Sequence, residues 1–460
     1  MLMGVKLKAN PTKKQKIILS QWMGCARLIW NAKCEDNHYL SRFSMRYLSI
    51  GTYPPIDQKF SQYKTELTPW LAECPSQILR NAASNWYATY RNYQKGLCGK
   101  PTRKKKSDTG SVHLTRELFS FKKCEDGVVR LFIGTKTNNM GYLSIKNHCT
   151  YEEPNSLRVT RRNGTYWVSF CYEDKLDEKS LHTQAQHLEE LRSLPLEELE
   201  KITIGVDRGV KRPVQAGNTV FDFSEEQKKK KLSKEKYIKR CQKRLFLKKK
   251  GSKRLRKSKR KIAKAHEKIG NIRKDFCHKT SRAIIEQKEV KGIVLEDLST
   301  KQMTKKPKAK KDPVTKKWLK NKSTSKAKLN RSILDKGWHQ LENYLKYKAH
   351  RANKALYKVS AHHTSQECAD CGHTHPDNRK KQELFHCICC GQSDHADHNA
   401  AKVIKKRAIK LIMDSGTELS SKGVLLDKGR GAAHKTRRAK ASHARSKEAS
   451  KKKELVTQVA

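Results

Sequence analysis

The chain has 460 residues, of which 102 are Lys or Arg and 45 are Asp or Glu, which gives a formal net charge of +57. This excess indicates a polyanionic partner, and nucleic acid fits it better than an acidic membrane surface does. The sequence holds no apolar run long enough to span a membrane and its N-terminus lacks a signal-peptide core, so we expect a cytoplasmic protein with no membrane partner.

The N-terminal part of the chain is predicted to contain one short strand and then helices. Residues 1–9 fit the strand, and Thr12 with Gln15 forms a capping-box pattern at the start of a helix. A second helical stretch begins near Pro75 and carries aromatic residues at helical spacing. Such a stripe usually belongs to a core, with base stacking as the functional alternative. The stretch ends in a basic loop, residues 96–106, that suits phosphate groups.

Residues 110–175 are predicted to form short β-strands. One pair of strands flanks Asn163 and Gly164, a strong hairpin turn signal. A small β-barrel or curled sheet fits this pattern, with the preceding helices inserted after its first strand. The acidic interval that follows, 176–200, is interpreted as a linker with a helix and without chemistry of its own.

Two apolar strands that end in an acid are predicted further along the chain. Residues 201–207 (KITIGVD) place Asp207 at the C-terminal end of a buried strand, and residues 290–298 (VKGIVLEDL) place Glu296 in the same way. The neighbouring Asp297 is expected to point to the opposite face. A single acid at a strand end is ordinarily a solvated surface group, so neither strand identifies a site alone.

A basic helical hairpin is predicted between these two strands, over residues 226–287. Its apolar residues recur at seven-residue intervals from Leu255 to Phe276, which indicates a narrow seam between antiparallel helices with lysine-covered flanks. Those flanks suit a phosphate backbone. Residues 301–330 are expected to be flexible, and a helix from Trp338 and a strand over 355–359 follow.

Four cysteines near the C-terminus have the spacing of a zinc ribbon. Cys368 and Cys371 form one CxxC pair, and Cys387 and Cys390 form a second. A pair of disulfides is the alternative, which is disfavoured because nothing else indicates an oxidising compartment. Asp397 then stands at the start of an apparent helix. Residues 414–460 are basic and aperiodic, and we expect them to be disordered.

Asp207, Glu296 and Asp397 share one chemical interpretation. Carboxylates from separate elements can converge on a pair of Mg²⁺ ions that catalyse phosphodiester hydrolysis. The order of strand and acid, long insertion, strand and acid, then ribbon, helix and acid is that of a RuvC-type nuclease with an RNase H-like fold.

The sequence motifs resemble those of the TnpB family of transposon-encoded RNA-guided nucleases, relatives of the type V CRISPR effectors. The resemblance extends to about residue 412, and the joint order of its motifs is specific. The matching pieces are Pro11 and Thr12 with Gln15, Gly24 with Arg27 and Asn31, PSQ at 75–77, GKP at 99–101, GVDRG at 205–209, NIRKDFCHK at 271–279, LEDL at 295–298, TSQECADCG at 364–372, FHCICCG at 385–391 and DHNAA at 397–401.

The resemblance implies an α+β multidomain fold. Its expected parts are a wedge-type β-barrel domain (1–9 and 107–200), an inserted helical recognition domain (10–106), a RuvC nuclease domain (201–363 and 392–413), a zinc-ribbon insertion (364–391) and a basic disordered tail (414–460).

The resemblance also implies a guide RNA, a target DNA duplex recognised beside a short adjacent motif, and cleavage in one RuvC site. Asp207, Glu296 and Asp397 would be the catalytic acids and would bind two Mg²⁺ ions, and the four ribbon cysteines would bind a structural Zn²⁺. Two departures stand out. The family usually has an acid where this chain has His395, and Cys389 adds a thiol that permits a shifted zinc-ligand set. Neither removes a catalytic acid, so we expect an active nuclease.

Four other functions remain open at this point. A compact type V CRISPR effector with a crRNA differs from the TnpB interpretation mainly in its genomic neighbourhood. A nuclease-inactive RNA-guided repressor is disfavoured by the three intact acids. A ribosomal zinc-ribbon protein leaves the two acid-tipped strands unexplained. A DNA-joining transposase would also use three carboxylates, but it would not depend on RNA.

Overall fold

A computed structural model describes residues 2–49, 57–107, 109–123, 128–173, 181–309, 311–315, 317–319 and 321–426. The chain divides into two compact units, with the boundary between residues 178 and 179. Both units combine helices with β-sheet. Within the described ranges, no helix is long and apolar enough to cross a membrane.

The first unit is built on a seven-stranded antiparallel sheet. Its strands are β1 (Leu2–Ala9), β2 (Gly110–Thr115), β3 (Phe119–Lys123), β4 (Val128–Gly134), β5 (Asn139–Lys146), β6 (Ser156–Arg162) and β7 (Thr165–Glu173), in the spatial order β2-β6-β7-β1-β5-β4-β3. Strands β3 and β7 lie four positions apart, which is about 19 Å in a flat sheet. The rings of Phe121 and Phe170 on these strands are nevertheless only 6.0 Å apart. The sheet therefore curls strongly around its core, as predicted.

Two helices, α1 (Lys13–Tyr47) and α2 (Ser76–Gln94), lie between β1 and β2 along the chain. The predicted capping box is confirmed, because the Thr12 and Gln15 side chains each bond the other residue's backbone N–H. On α2, Trp86 is fully buried and stacks on Tyr90. At least this part of the aromatic stripe is core rather than a free stacking surface.

The second unit is built on a five-stranded mixed sheet. Its strands are β8 (Thr203–Asp207), β9 (Val214–Ala216), β10 (Thr219–Phe221), β11 (Gly292–Glu296) and β12 (Ala355–Val359), in the order β10-β9-β8-β11-β12. Strands β8, β11 and β12 are parallel, and β9 and β10 continue the sheet as an antiparallel hairpin. All five residues of β11 are buried, because helices cover both faces of a parallel sheet.

The helices of the second unit differ from the prediction at the acidic interval. They are α3 (Gln184–Arg192), α4 (Leu196–Ile202), α5 (Glu225–Phe246), α6 (Lys253–Ile285), α7 (Thr300–Met303), α8 (Ser323–Lys336), α9 (Trp338–Arg351) and α10 (Ala396–Met413). Assigning residues up to 200 to the β-barrel domain is wrong for residues 181–200. Helices α3 and α4 bury Leu188, Leu191 and Leu199 in one core with Tyr357 and Ile404, so they belong to the second unit.

The predicted helical hairpin is confirmed as α5 packed along α6, with Ile238, Ala265 and Ile269 in its seam. The prediction of flexibility over 301–330 is wrong from residue 323, where α8 begins. Helix α8 is held because Asn330 donates a 2.8 Å hydrogen bond to the Thr304 carbonyl and Ile333 is buried.

The C-terminal part adds two small hairpins. They are β13 (Leu384–His386) with β14 (Ser393–His395), and β15 (Glu418–Leu419) with β16 (Leu425–Leu426). The expected disorder from residue 414 is therefore wrong up to residue 426, because Leu425 packs into the core beside β12 and α10. Residues 427–460, the rest of the predicted tail, lie outside the described residues.

Candidate active site and metal centre

Asp207 and Glu296 lie side by side at the same edge of the parallel sheet. The register pairs Val206 with Leu295, so the next residues, Asp207 and Glu296, are also neighbours. Adjacent strands run about 4.8 Å apart, and paired residues of parallel strands project to the same face. The sequence prediction of two acids at strand ends thus becomes one pair of adjacent carboxylates.

Helix α10 brings Asp397 to this pair. A Cβ on Gly205 would lie 2.1 Å from the Ala401 carbonyl oxygen, so α10 rests directly on the backbone of β8. Asp397 is in the first turn of α10, and its charge is among the causes that raise the pKa of Asp207. The structure therefore places Asp397 near enough to this pair for its charge to act on Asp207.

Burial dominates the electrostatics of Asp207 and Glu296. Burial, followed by the charges of Glu296 and Asp397, raises the pKa of Asp207 to about 8. Burial also raises the pKa of Glu296, against a hydrogen bond that its carboxylate accepts from the Thr364 hydroxyl. Asp397 lies 3.4 Å from a guanidinium nitrogen of Arg379. Clustered carboxyls in this setting favour protonation or the binding of cations.

Arg208 is a structural residue of the site that the sequence interpretation missed. It is 3% exposed, donates to the backbone carbonyl of Glu296 and pairs with Glu342 at 3.0 Å. Glu342 also pairs with Lys358. This network ties the ends of β8, β11 and β12 to α9. The arginine of the GVDRG motif could have pointed to this role, but its partner Glu342 is too distant in sequence for the pairing to be predicted.

The three carboxylates are of the ligand type that divalent cations prefer, but their oxygens do not all lie within 4.8 Å of one another as the sulfur atoms of the ribbon do. Oxygen ligands from separate elements are typical of Mg²⁺ and other hard divalent ions. Only the guanidinium of Arg379 makes a described ion pair with any of the three acids. Asp297 is exposed and lies 3.7 Å from Lys358, so it faces away from the cluster as expected.

His395, at the position where the resemblance leads us to expect an acid, is the N-cap of α10. Its Nδ1 accepts a 3.2 Å hydrogen bond from the Asp397 backbone N–H. The adjacent Asp394 is occupied elsewhere, because its carboxylate contacts His398 at 2.8 Å and Lys402 at 3.0 Å. His395 therefore takes a capping role at the helix that carries Asp397.

The four ribbon cysteines converge on one point. One Sγ atom from each of Cys368, Cys371, Cys387 and Cys390 lies within 4.8 Å of all the others. The sulfur atoms of Cys368 and Cys390 are 3.6 Å apart and those of Cys371 and Cys387 are 3.5 Å apart. Both distances are close to the ~3.8 Å of tetrahedral Zn–thiolate geometry and far from the ~2.05 Å of a disulfide. Cys389 is exposed and stands outside this group, which disfavours the shifted ligand set.

Asn399 connects the ribbon to the helix that carries Asp397. Its Oδ1 accepts from the Ala369 N–H at 3.0 Å, and its Nδ2 donates to the Glu367 carbonyl at 2.7 Å. Arg407 of α10 also pairs with the Glu367 side chain. The first cysteine knuckle is thereby fixed to α10 two residues beyond Asp397.

A basic groove lines one face of the first unit. Its volume is about 840 Å³, and none of its described lining residues is acidic. Lys104 lies 3.3 Å from the centre of the Trp30 ring, and burial, followed by the charge of Arg158, lowers its pKa to about 8. A lining that combines several lysines and arginines with no acidic residue among those described favours an anionic ligand such as a nucleic-acid backbone.

Family models match three parts of the chain. They are described as "Helix-turn-helix domain" of OrfB_IS605 (residues 1–38), "Probable transposase" OrfB_IS605 (183–306) and "Cas12f1-like, TNB domain" (338–404).

Two curated relatives are similar over most of their length. "Putative RNA-guided DNA endonuclease InsQ" of Escherichia coli (strain K12) is 27% identical over 88% of this chain and 91% of its own. "Putative RNA-guided DNA endonuclease" of Streptomyces pristinaespiralis is 24% identical over 87% of each chain. A solved structure, "Cryo-EM structure of the Cas12f1-sgRNA-target DNA complex", is similar in fold, with a TM-score of 0.50 and 12% identity over 88% of this chain and 98% of that one.

Proposed function

We infer that this chain, which belongs to the TnpB family of RNA-guided nucleases, is an RNA-guided DNA endonuclease. Relatives named as RNA-guided DNA endonucleases align with 88% and 87% of this chain. The single observation that carries the proposal is the convergence of Asp207, Glu296 and Asp397 at one edge of the second unit's sheet. A guide RNA and a target DNA duplex are its partners, and the net charge of +57 suits both.

The three acids are proposed as the catalytic residues of a RuvC-type site. Asp207 and Glu296 present their carboxylates from rigid strand ends, and Asp397 adds its own from the start of α10. The Thr364 hydroxyl orients the Glu296 carboxylate, and Arg208 holds the backbone of the same residue. These contacts keep the carboxylates at fixed positions before substrate arrives.

Two Mg²⁺ ions held by these acids would supply an activated water and stabilise the charge on the leaving 3′ oxygen. Because burial and repulsion raise the pKa of Asp207 to about 8, this carboxyl holds a proton at neutral pH until a cation displaces it. Arg379 lies beside Asp397 and is well placed to contact a phosphate oxygen of the bound strand.

The remaining parts are proposed to handle the nucleic acids. The curled sheet and its inserted helices would act as the wedge and recognition domains, with the basic groove around Lys104 contacting a sugar–phosphate backbone. The hairpin of α5 and α6 would contact the guide–target heteroduplex through its lysines. The four ribbon cysteines would hold a structural Zn²⁺ that supports α10.

The proposal is tested with the protein expressed beside its native flanking DNA. RNA that copurifies is sequenced and retargeted to a plasmid library with randomised flanks, in the presence of Mg²⁺. Wild type is compared with Asp207→Asn, and Asp297→Asn serves as the matched control because Asp297 follows the neighbouring strand β11 at the same edge of the sheet and faces away from the acids.

We expect guide-matched cleavage next to one flanking motif for the wild type and for Asp297→Asn, and none for Asp207→Asn. Guided binding without cutting by the wild type would instead identify a repressor. The absence of any discrete RNA would contradict the RNA-guided mode itself.

A further inference from the structure

A second cluster of potential metal ligands lies at the start of the second unit, far in sequence from the ribbon. It consists of His182, just before α3, with His187 and Glu190 on α3. One ligand atom from each residue lies within 4.8 Å of the other two. His187 and Glu190 are three positions apart, so they share one face of the helix.

The cluster is held in place by the surrounding backbone. The His182 backbone N–H donates a 2.9 Å hydrogen bond to the Asn353 side chain, which follows α9. Thr183 and Gln186 form a capping box that fixes the first turn of α3. His182 is therefore held against its helix by a contact from another element, and its ring stays beside that of His187, with 5.4 Å between the centroids.

The two imidazoles share one carboxylate. His182 Nδ1 contacts one Glu190 oxygen, and His187 Nδ1 lies 3.5 Å from the other. His187 is only 6% exposed, yet its Nε2 has no hydrogen-bond partner among the described residues. The contacts with Glu190 are made by the two Nδ1 atoms, so these are the nitrogens that a shared ion would use, and the unpartnered Nε2 of His187 is not part of the site.

We propose that His182, His187 and Glu190 bind a divalent transition-metal ion such as Zn²⁺, separately from the ribbon. Two imidazole nitrogens and one carboxylate oxygen are a ligand set that Zn²⁺ accepts, with water completing the tetrahedron. Tetrahedral coordination places ligand atoms about 3.3 Å apart, within reach of the observed separations. Half of the Glu190 side chain is exposed, so solvent reaches the site.

The expected role of this ion is structural. It would fasten the segment that enters the second unit to α3. Arg192 of α3 donates to the Ile412 and Thr417 carbonyls at 3.2 and 2.7 Å, which links α3 to the end of α10. Binding would therefore stabilise the unit that contains the acids without taking part in their chemistry. The proposal does not depend on the nuclease function.

The test uses the full chain, freed of nucleic acid at high salt and of metal by a chelator. It is titrated with Zn²⁺, and with Co²⁺ as a spectroscopic probe, in a large excess of Mg²⁺ that keeps the carboxylate site of the proposed function filled. We expect two equivalents of each ion. One Co²⁺ gives the thiolate-to-metal charge-transfer band of the ribbon, and the other gives only weaker bands without thiolate character.

Two variants remove the second site, and one serves as control. His182→Ala and Glu190→Gln should each bind one equivalent of metal and keep the thiolate band. Zn²⁺ should also raise the unfolding temperature of each variant by less than it raises that of the wild type, because the second ion no longer binds. A double variant, His362→Ala with His363→Ala, removes two other histidines and should keep both equivalents.

A wild type that binds one equivalent only, or variants that keep the second, would overturn the proposal. Glu190→Gln keeps the side-chain shape and is half-exposed, so it distinguishes lost binding from lost folding even if His182→Ala is unstable.

Discussion

Replacing Asp207 by Asn should stabilise the metal-free protein while it abolishes cleavage. Burial and the charges of Glu296 and Asp397 raise the pKa of Asp207 from an ordinary 3.8 to about 8. The folded chain therefore holds a proton that the unfolded chain releases, and the free energy of unfolding falls as the pH rises from about 4 to about 8. Asparagine removes the charge and keeps the shape.

The size of the effect follows from the same shift. At about 1.4 kcal/mol per pKa unit, the difference between 3.8 and about 8 corresponds to roughly 6 kcal/mol at pH 8. This is an upper bound, since Asp207 keeps some contact with water that softens the repulsion. We expect Asp207→Asn to raise the free energy of unfolding by ~2–4 kcal/mol at pH 8 and by little at pH 4.

The assay is urea unfolding of both proteins in a chelator at pH 4 to 8, and again with Mg²⁺ at pH 8. Mg²⁺ should stabilise the wild type and remove the difference in free energy of unfolding between the two proteins, because the cation offsets the repulsion that the variant lacks. Asp297→Asn should track the wild type throughout. If Asp207→Asn were less stable than the wild type at pH 8 without metal, the repulsion argument would be refuted.

Three further predictions concern the supports of the site and the charge of the chain. Gly205→Val should lower the free energy of unfolding by about 3 kcal/mol or more, because a Cβ there meets the Ala401 carbonyl oxygen at 2.1 Å. It should also reduce DNA cleavage although all three acids remain, and unchanged urea unfolding would contradict the contact. Cys390→Ser should lose the Zn²⁺ ion of the ribbon and reduce DNA cleavage, whereas Cys389→Ser should keep both the ion and the cleavage activity. Metal analysis and plasmid cleavage measure the two effects. Affinity for guide RNA should fall roughly 10³-fold or more between about 50 and 200 mM salt, and a flat response in filter binding would argue against a backbone-dominated interface.

The sequence was sufficient to locate the acids because their signals are local. A period-two pattern that ends in an acid marks β8 and β11, and two such parallel strands must place their ends at one edge. The CxxC spacing likewise predicts a cluster of four thiols without any knowledge of the fold.

Features that depend on distant partners could not be predicted in this way. Arg208 reaches Glu342 across 134 positions, and Thr364 reaches Glu296 across 68, so neither pairing leaves a periodic trace. Residues 181–200 belong to the second unit and not to the predicted β-barrel domain, because a short apolar stripe lies among their many acidic residues. Leu188 and Leu191 of that stripe are buried beneath the charged face of α3.

The close contact between Gly205 and α10 also has a consequence for how the protein is made. These two elements lie about 200 residues apart along the chain, so the ribosome produces the helix long after the strand. Until it emerges, a nascent chain carries Asp207 and Glu296 but lacks the third acid. The lysine-rich hairpin of α5 and α6 is complete much earlier. The nucleic-acid contacts proposed for the hairpin can therefore form before the three proposed catalytic acids are complete.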